Sequence, residues 1–311
     1  MTLLIAGYEF RKRIKFSSAW RDEGAHERQV ELDNTPSSIF MVADSAITNG
    51  RKTMLNDFRK IYPMPVRLWQ PYFVDGVFRE YLRVCLDFEI AVGFAGNTLT
   101  AQHCLNGLTA HLANLHISFV HPRAGDLEMT VLMECEENPL DRLQFSRIED
   151  EFEPRKYSQL LVADKVAHVV LHSLEKSMES ARKYKWDEEA FQTLQTPFVV
   201  GIQCPVTRDY VIYVYRMEFV QVEGVRQVRV NMVKLPHGEV AVLGMEAEFS
   251  QSAQEAYDAA IKGRLPQQQA MFDFLCTSIN TVVARGDKGI ARPAVGKRLE
   301  SFRLTKTLRE V

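Results

Sequence analysis

Residues 38–50 read Ser-Ile-Phe-Met-Val-Ala-Asp-Ser-Ala-Ile-Thr-Asn-Gly. The apolar run Ile39 to Ala43 is closed by Asp44 and by a polar stretch that ends on Gly50. A short apolar run bounded by turn-forming residues is the pattern of a buried strand, so Asp44 is expected at a strand end. Upstream, residues 2–10 (TLLIAGYEF) read as another strand that begins almost at the first residue. Residues 11–37 between them are polar and charged and read as a long excursion. Downstream come a third extended stretch at 52–62 (KTMLNDFRKIY) and a loop rich in proline and aromatics from Pro63 to Phe78.

Further out, FEIAVGFAG (88–96) is a strand that ends on glycine. Leu105, Leu108, Leu112 and Leu115 then recur at helical spacing, and Val162, Val166, Val170, Leu174 and Met178 form an i, i+4 stripe. Residues 121–155 between these helices are acidic and irregular. Four strand-like runs follow at 197–204, 209–220, 225–235 and 239–245, then helices at about 250–262 and 266–284. The tail from 289 onward is read as a final strand. Strands, two helices, strands and two helices predict an α+β layered domain. Two antiparallel sheets flanked by helix pairs, a four-layer αββα sandwich, would bury every apolar face. The expectation is a single domain over 1–311 with insertions at about 11–37, 63–84 and 121–155.

The chain has 311 residues, 46% hydrophobic and 25% charged, with a formal net charge of −2. That balance gives no electrostatic footprint for nucleic acid. No stretch approaches the roughly 20 apolar residues of a membrane span. The N-terminus is apolar first and basic second, the reverse of a secretory signal, so the cytoplasm is the expected compartment. Five scattered cysteines without C-x-x-C spacing predict neither a disulfide framework nor a structural zinc site. His168 and His172 lie one helical turn apart with Glu175 beyond, but Val169 follows His168, so H-E-x-x-H is absent. The pair reads as a surface or interface pair. His111, His116 and His121 read as loop and helix-end residues, and the basic run Arg11 to Lys15 as a solvated loop. Neither a metal nor a cofactor is called for.

Three segments carry chemistry: Met1-Thr2 feeding a strand, Ala43 to Gly50 at a strand end, and Arg59 to Tyr62 with Phe94 to Thr98 beyond. Together they resemble proteasome β-subunits and the bacterial proteasome-like heat-shock peptidase, which are N-terminal-nucleophile hydrolases. Asp44, Thr48 and Gly50 stand at that family's offsets, and Lys60 follows Asp44 by the family's 16 residues. VGFAGNTLTA resembles the segment whose glycine amide forms the oxyanion hole, at Gly96. GEVAVLGMEAEFSQSAQEAYDAA and RGDKGIARPAVG resemble later segments more weakly. The resemblance implies that Thr2 is nucleophile and base, Lys60 an electrostatic activator, Asp44 its orienting partner and Gly96 the oxyanion donor. Asp287 matches a supporting aspartate. Two supporting serines are replaced: the turn reads Gly244-Met245-Glu246, and Ile290 stands at the other position, with Ser250 and Ser252 as nearby hydroxyls.

The chemistry fits independently. A threonine hydroxyl attacks only once a base takes its proton. An α-amine, with a pKa of about 7.7–8.0, can be that base, provided Met1 is removed. A neighbouring lysine lowers the amine's proton affinity by like-charge repulsion. The resemblance thus implies a threonine peptidase acting on polypeptide inside a homo-oligomeric ring, without a cofactor, and leaves open an ATP-dependent unfoldase as partner. Nucleic acid and membrane are not expected partners. A non-proteolytic amidohydrolase on a small acyl-amide is the second reading. A catalytically silent ring subunit is the third, disfavoured because such chains carry a helix before the first strand.

Overall fold

The computed structural model describes residues 2–15, 29–49, 52–55, 57–120, 127–143, 147–179, 193–222, 225–284 and 300–304. In chain order the strands and helices are β1 (Leu4–Lys15), β2 (Gln29–Ala43), β3 (Ile47–Asn49), β4 (Lys52–Leu55), β5 (Ile61–Val74), β6 (Val77–Phe94), α1 (Thr98–Ala113), β7 (Leu115–Val120), β8 (Glu128–Met133) and a single turn, α2 (Pro139–Arg142). Then come α3 (Ala163–Glu179), β9 (Phe198–Gln203), β10 (Tyr210–Val222), β11 (Val225–Lys234), β12 (Ala241–Leu243), α4 (Glu246–Lys262), α5 (Gln267–Ala284) and β13 (Glu300–Leu304). The fold is mixed α+β, and its backbone divides into two compact units.

The first unit comprises Met1–Ile61, Gly93–Ala95 and Lys234–Thr305. Its sheet has the order β12-β1-β2-β13. β1 and β2 pair antiparallel from Leu4↔Ala43 out to Lys15↔Gln29, with irregularities on either side of Phe10, which stands opposite Pro36. Proline cannot donate to a ladder, so the register breaks there. Much of the stretch expected as an excursion at 11–37, the basic run Arg11 to Lys15 included, is therefore a continuation of this ladder. Leu3 and Ile5 of the first strand region and Phe40 and Val42 of β2 follow the period of two and share one face. That face packs with Phe249, Ala253 and Tyr257 of α4 and Met271, Leu275, Ile279 and Val282 of α5.

Polar contacts fix how the helices seat. The Glu9 carboxylate, 7% exposed, accepts the backbone N–H groups of Gln267 at 3.2 Å and Gln268 at 2.7 Å. It thereby satisfies two of the amides that a helix start leaves without partners. The Tyr257 hydroxyl donates to the Tyr8 carbonyl at 2.6 Å, and the Tyr8 hydroxyl to the Leu235 carbonyl at 2.8 Å.

The second unit comprises Tyr62–Val92, Gly96–Val233 and Lys306–Val311. The larger sheet has the order β11-β10-β9-β6-β5-β7-β8. The aromatic loop expected at 63–78 is instead the β5–β6 hairpin, turned by Asp75 and Gly76, both at positive φ (54° and 79°). Two left-handed residues between strands suit the primed hairpin turns, for which Asp-Gly is a strong signal. Pro63, Pro65 and Pro71 lie in β5 away from Leu68 and Trp69, the residues at which β7 pairs with it, as suits residues that cannot donate to a ladder. β7 and β8 were also unexpected: Leu115 begins a strand, and the irregular stretch at 121–155 contains a second one. α1 packs closely on α3, since a Cβ on Gly107 would lie 2.8 Å from Ser177 Oγ.

Leu275 is fully buried in the α4–α5 cluster. Leu275→Ala is expected to lower unfolding stability by about 2–5 kcal/mol in urea titration. A loss below about 1 kcal/mol would show that this cluster is not a packed core.

Candidate active site

Asp44 is the first residue after β2, and its backbone N–H donates to the Leu3 carbonyl at 3.1 Å. Its side chain answers in kind: Oδ1 accepts Leu3 N–H at 2.8 Å, and Oδ2 accepts Ala46 N–H at 3.2 Å. The same Oδ2 takes an ion pair from Lys60 Nζ at 2.8 Å. Lys60 Nζ also donates to Thr2 Oγ1 at 3.1 Å. Thr2, Asp44 and Lys60 are 9%, 3% and 1% exposed, so the ammonium and carboxylate meet almost without water. A buried pair like this loses much of its Coulomb gain to the cost of desolvating both charges, which is why buried ion pairs are poor stabilisers. Here the third partner is a hydroxyl at the very start of the chain.

Lys60 is held by its own backbone as well. Its carbonyl accepts Phe94 N–H at 3.2 Å, and the Phe58 and Phe94 rings meet edge to face at 6.3 Å. Thr2 is fixed from the other side by Gly244, at φ +95°. A Cβ built on Gly244 would overlap the Thr2 carbonyl oxygen and sit 3.3 Å from the Ala95 methyl. Sequence reasoning noted this turn only for its missing serine; its requirement for glycine was not seen. Ser252 Oγ donates to the Phe249 carbonyl at 3.3 Å, within its own helix.

Three of the five expected site residues thus converge in the first unit. Thr48 lies in β3, in register with Thr53. Gly96 belongs to the second unit, at φ +111°, where a Cβ would overlap the Gln195 carbonyl oxygen, so only glycine fits. Next to it Asn97 caps α1, its Oδ1 accepting from Leu99 N–H and Thr100 N–H. Asp287, Ile290 and His121 lie outside the described residues.

No family model and no curated protein sequence matches the chain. Solved structures of Anbu (ancestral beta-subunit) do compare with it. The one from Yersinia bercovieri covers 98% of this chain and 82% of its own, at 10% identity and a TM-score of 0.40. The Anbu (Gly-1) mutant from Hyphomicrobium sp. strain MC1 covers 99% and 82%, at 11% identity and a TM-score of 0.39. At these values neither carries weight for the chemistry of the site. They do correct the family drawn from sequence: the matching structures are Anbu proteins, and membership among the proteasome β-subunits or heat-shock peptidases is withdrawn. The physical reason lies in the motif. Asp44, Lys60 and the FAGNT segment are a short local signature, which does not separate one branch of related chains from another.

A second cluster of chemistry-bearing side chains lies in the second unit. His168 does not join His172, because its Nδ1 contacts the Asp164 carbonyl at 2.7 Å. Instead one ligand atom each of His111, Cys135 and His172 lies within 4.8 Å of the others. Burial lowers the proton affinity of His111, as does the neighbouring His172 charge, against an opposing pull from Glu134. His116 is in β7, stacked on Tyr81 at 4.1 Å, and not in a loop.

Gly244 and Gly238 separate steric from conformational cost. Both have positive φ, but a Cβ on Gly238 meets nothing within 4 Å. Gly238→Ala is expected to cost about 1–2 kcal/mol in denaturant unfolding, the usual penalty of the left-handed region. Gly244→Ala should cost clearly more, because Thr2 must also move. Equal costs for the two variants would remove Gly244 from the site.

Proposed function

We propose that the chain is an N-terminal-nucleophile amide hydrolase in which Thr2, once Met1 is removed, attacks a carbonyl carbon. The observation that carries this is Lys60 Nζ, 2.8 Å from Asp44 Oδ2 and 3.1 Å from Thr2 Oγ1, all three side chains buried. A threonine oxygen that accepts a hydrogen bond from a buried ammonium is stabilised as it gains negative charge. The Thr2 α-amine takes the hydroxyl proton as Oγ1 bonds to the substrate carbon. The carbonyl oxygen becomes an oxyanion, for which the Gly96 N–H is the proposed donor. Collapse of the intermediate breaks the C–N bond, and the amine proton passes to the leaving nitrogen. That leaves an ester on Thr2 Oγ1. Water then repeats the steps in reverse roles and releases the acid. Lys60 stays protonated throughout, oriented by Asp44, and no cofactor enters. Asp287 is kept in this reading as a supporting residue.

The reading extends to a threonine peptidase acting on unstructured polypeptide in a homo-oligomeric ring, in the cytoplasm, with an ATP-dependent unfoldase as a candidate partner. Its structural part is a single domain, inserted at about 11–37, 63–84 and 121–155, with its two sheets and helix pairs layered αββα. The layering is supported within each unit: α4 and α5 pack on the β1–β2 sheet, and α3 contacts β9 and β10. For the compartment, all five cysteines are thiols, as a reducing environment leaves them. Among the described residues, no helix is long and apolar enough to cross a membrane.

Hydrolysis of fluorogenic peptide amides, followed alongside sedimentation velocity, tests the proposal. The parent chain should turn over as an oligomer, and Thr2→Ala and Lys60→Met should each lose roughly 10³-fold or more in kcat/KM. Unchanged turnover in Thr2→Ala would overturn the proposal. Turnover of small acyl-amides alone, by a monomer or dimer, would replace the peptidase reading with the non-proteolytic one.

A further inference from the structure

Three elements of the second unit bring soft and borderline ligands to one place. His111 is in the last turn of α1, His172 is on α3, and Cys135 is in the turn after β8. One ligand atom of each lies within 4.8 Å of the other two. Cys135 Sγ and His172 Nε2 are 3.4 Å apart. A tetrahedral zinc ion with Zn–S of about 2.3 Å and Zn–N of about 2.05 Å separates those atoms by about 3.6 Å. That pair stands close to this edge length, and one ring nitrogen of His111 lies within 4.8 Å of both partners' ligand atoms. The two imidazoles are inclined at 60° with centroids 5.5 Å apart, so they do not stack on one another.

The hydrogen bonding around His111 sets its tautomer. The Ser173 hydroxyl donates its one proton to the Val169 carbonyl at 2.7 Å. The 2.7 Å contact between Ser173 Oγ and His111 Nδ1 must therefore have the imidazole N–H as donor. Nδ1 carries the proton and Nε2 the lone pair. A ring nitrogen tied to an outer partner, with the other left basic, is the arrangement that holds histidine as a metal ligand. Ser173 is fully buried, so this orientation is built into the α1–α3 contact. Glu134 and Glu136 flank Cys135 in sequence and add negative charge beside the cluster. One thiolate with two imidazoles suits zinc or cuprous ions, and not magnesium or calcium, which take oxygen.

We propose that His111, Cys135 and His172 bind a zinc-class transition-metal ion that ties α1, α3 and the turn after β8 together, with its fourth position open to water. Binding displaces the Cys135 thiol proton to solvent and changes no oxidation state. Every ligand belongs to the second unit, and Thr2 to the first.

The test titrates the metal-free full chain, untagged, with cobalt(II), a spectroscopic stand-in for zinc. One equivalent is expected to bind with a thiolate-to-cobalt charge-transfer band and intense tetrahedral d–d bands, and zinc should displace it. Cys135→Ser, at an exposed turn position, should keep the fold and lose the charge-transfer band. Ser173→Ala should weaken binding about 10–100-fold while keeping the spectrum of the bound ion. Thr2→Ala should bind as the parent does, so this result does not depend on the hydrolase reading. Zinc should also raise the Tm of the parent and leave that of Cys135→Ser unmoved. A missing charge-transfer band, or one that survives in Cys135→Ser, would overturn the proposal.

Discussion

The carboxylate of Asp44 is the constraint on which the first unit turns. It accepts the Leu3 and Ala46 amides and the Lys60 ammonium at 2.8, 3.2 and 2.8 Å, and is 3% exposed. A buried carboxylate without such partners would be too costly to keep ionised. Each partner therefore has to be delivered to it. The amide of Leu3 requires β1 to begin beside the end of β2, and the register Leu4↔Ala43 does that. The ammonium requires the chain to return after β4 so that Lys60 lies alongside Phe94, whose N–H bonds its carbonyl. Removing one member of such a set leaves a buried charge unpaired, which typically costs about 3–5 kcal/mol. Replacing the whole set by apolar groups would cost far less. The ionic arrangement therefore makes better sense as a device for holding the Thr2 hydroxyl against a positive charge than as a source of stability.

The same logic explains why glycine occupies position 244. Thr2 sits between the Lys60 ammonium, at 3.1 Å from its hydroxyl, and the backbone of the turn into α4, which touches its carbonyl. Side chain and main chain of one residue are thus fixed independently. The proposed attack by Thr2 requires such double fixing, because small displacements of a reacting group cost large factors in rate.

The strand end at Asp44 was legible in the sequence, because an apolar run closed by turn residues announces it. Thr2 and Lys60 were picked out only by resemblance to a family motif, and the structure brings both to Asp44. The β5–β6 hairpin was hidden by its three prolines, although Asp75-Gly76 marked the turn. β7 was hidden because Leu115 continues the leucine period of α1 by one more step before the chain extends. The family could not be read, because the short motif around Thr2, Asp44 and Lys60 carries little information about the rest of a fold. The His111, Cys135 and His172 cluster was illegible for the opposite reason. Its members come from two helices and a turn, so no spacing along the chain records them, and the reading that called for no metal rested on spacing alone.

The most direct test of the Thr2 account is the intact mass of the purified chain before and after incubation with a peptide epoxyketone. That reagent condenses with both the hydroxyl and the α-amine of an N-terminal threonine. The account predicts a chain lacking Met1 that gains a single adduct, with no adduct on Thr2→Ala. A chain that retains Met1 and gains no adduct would contradict it, because the amine that must act as base would then be locked in a peptide bond.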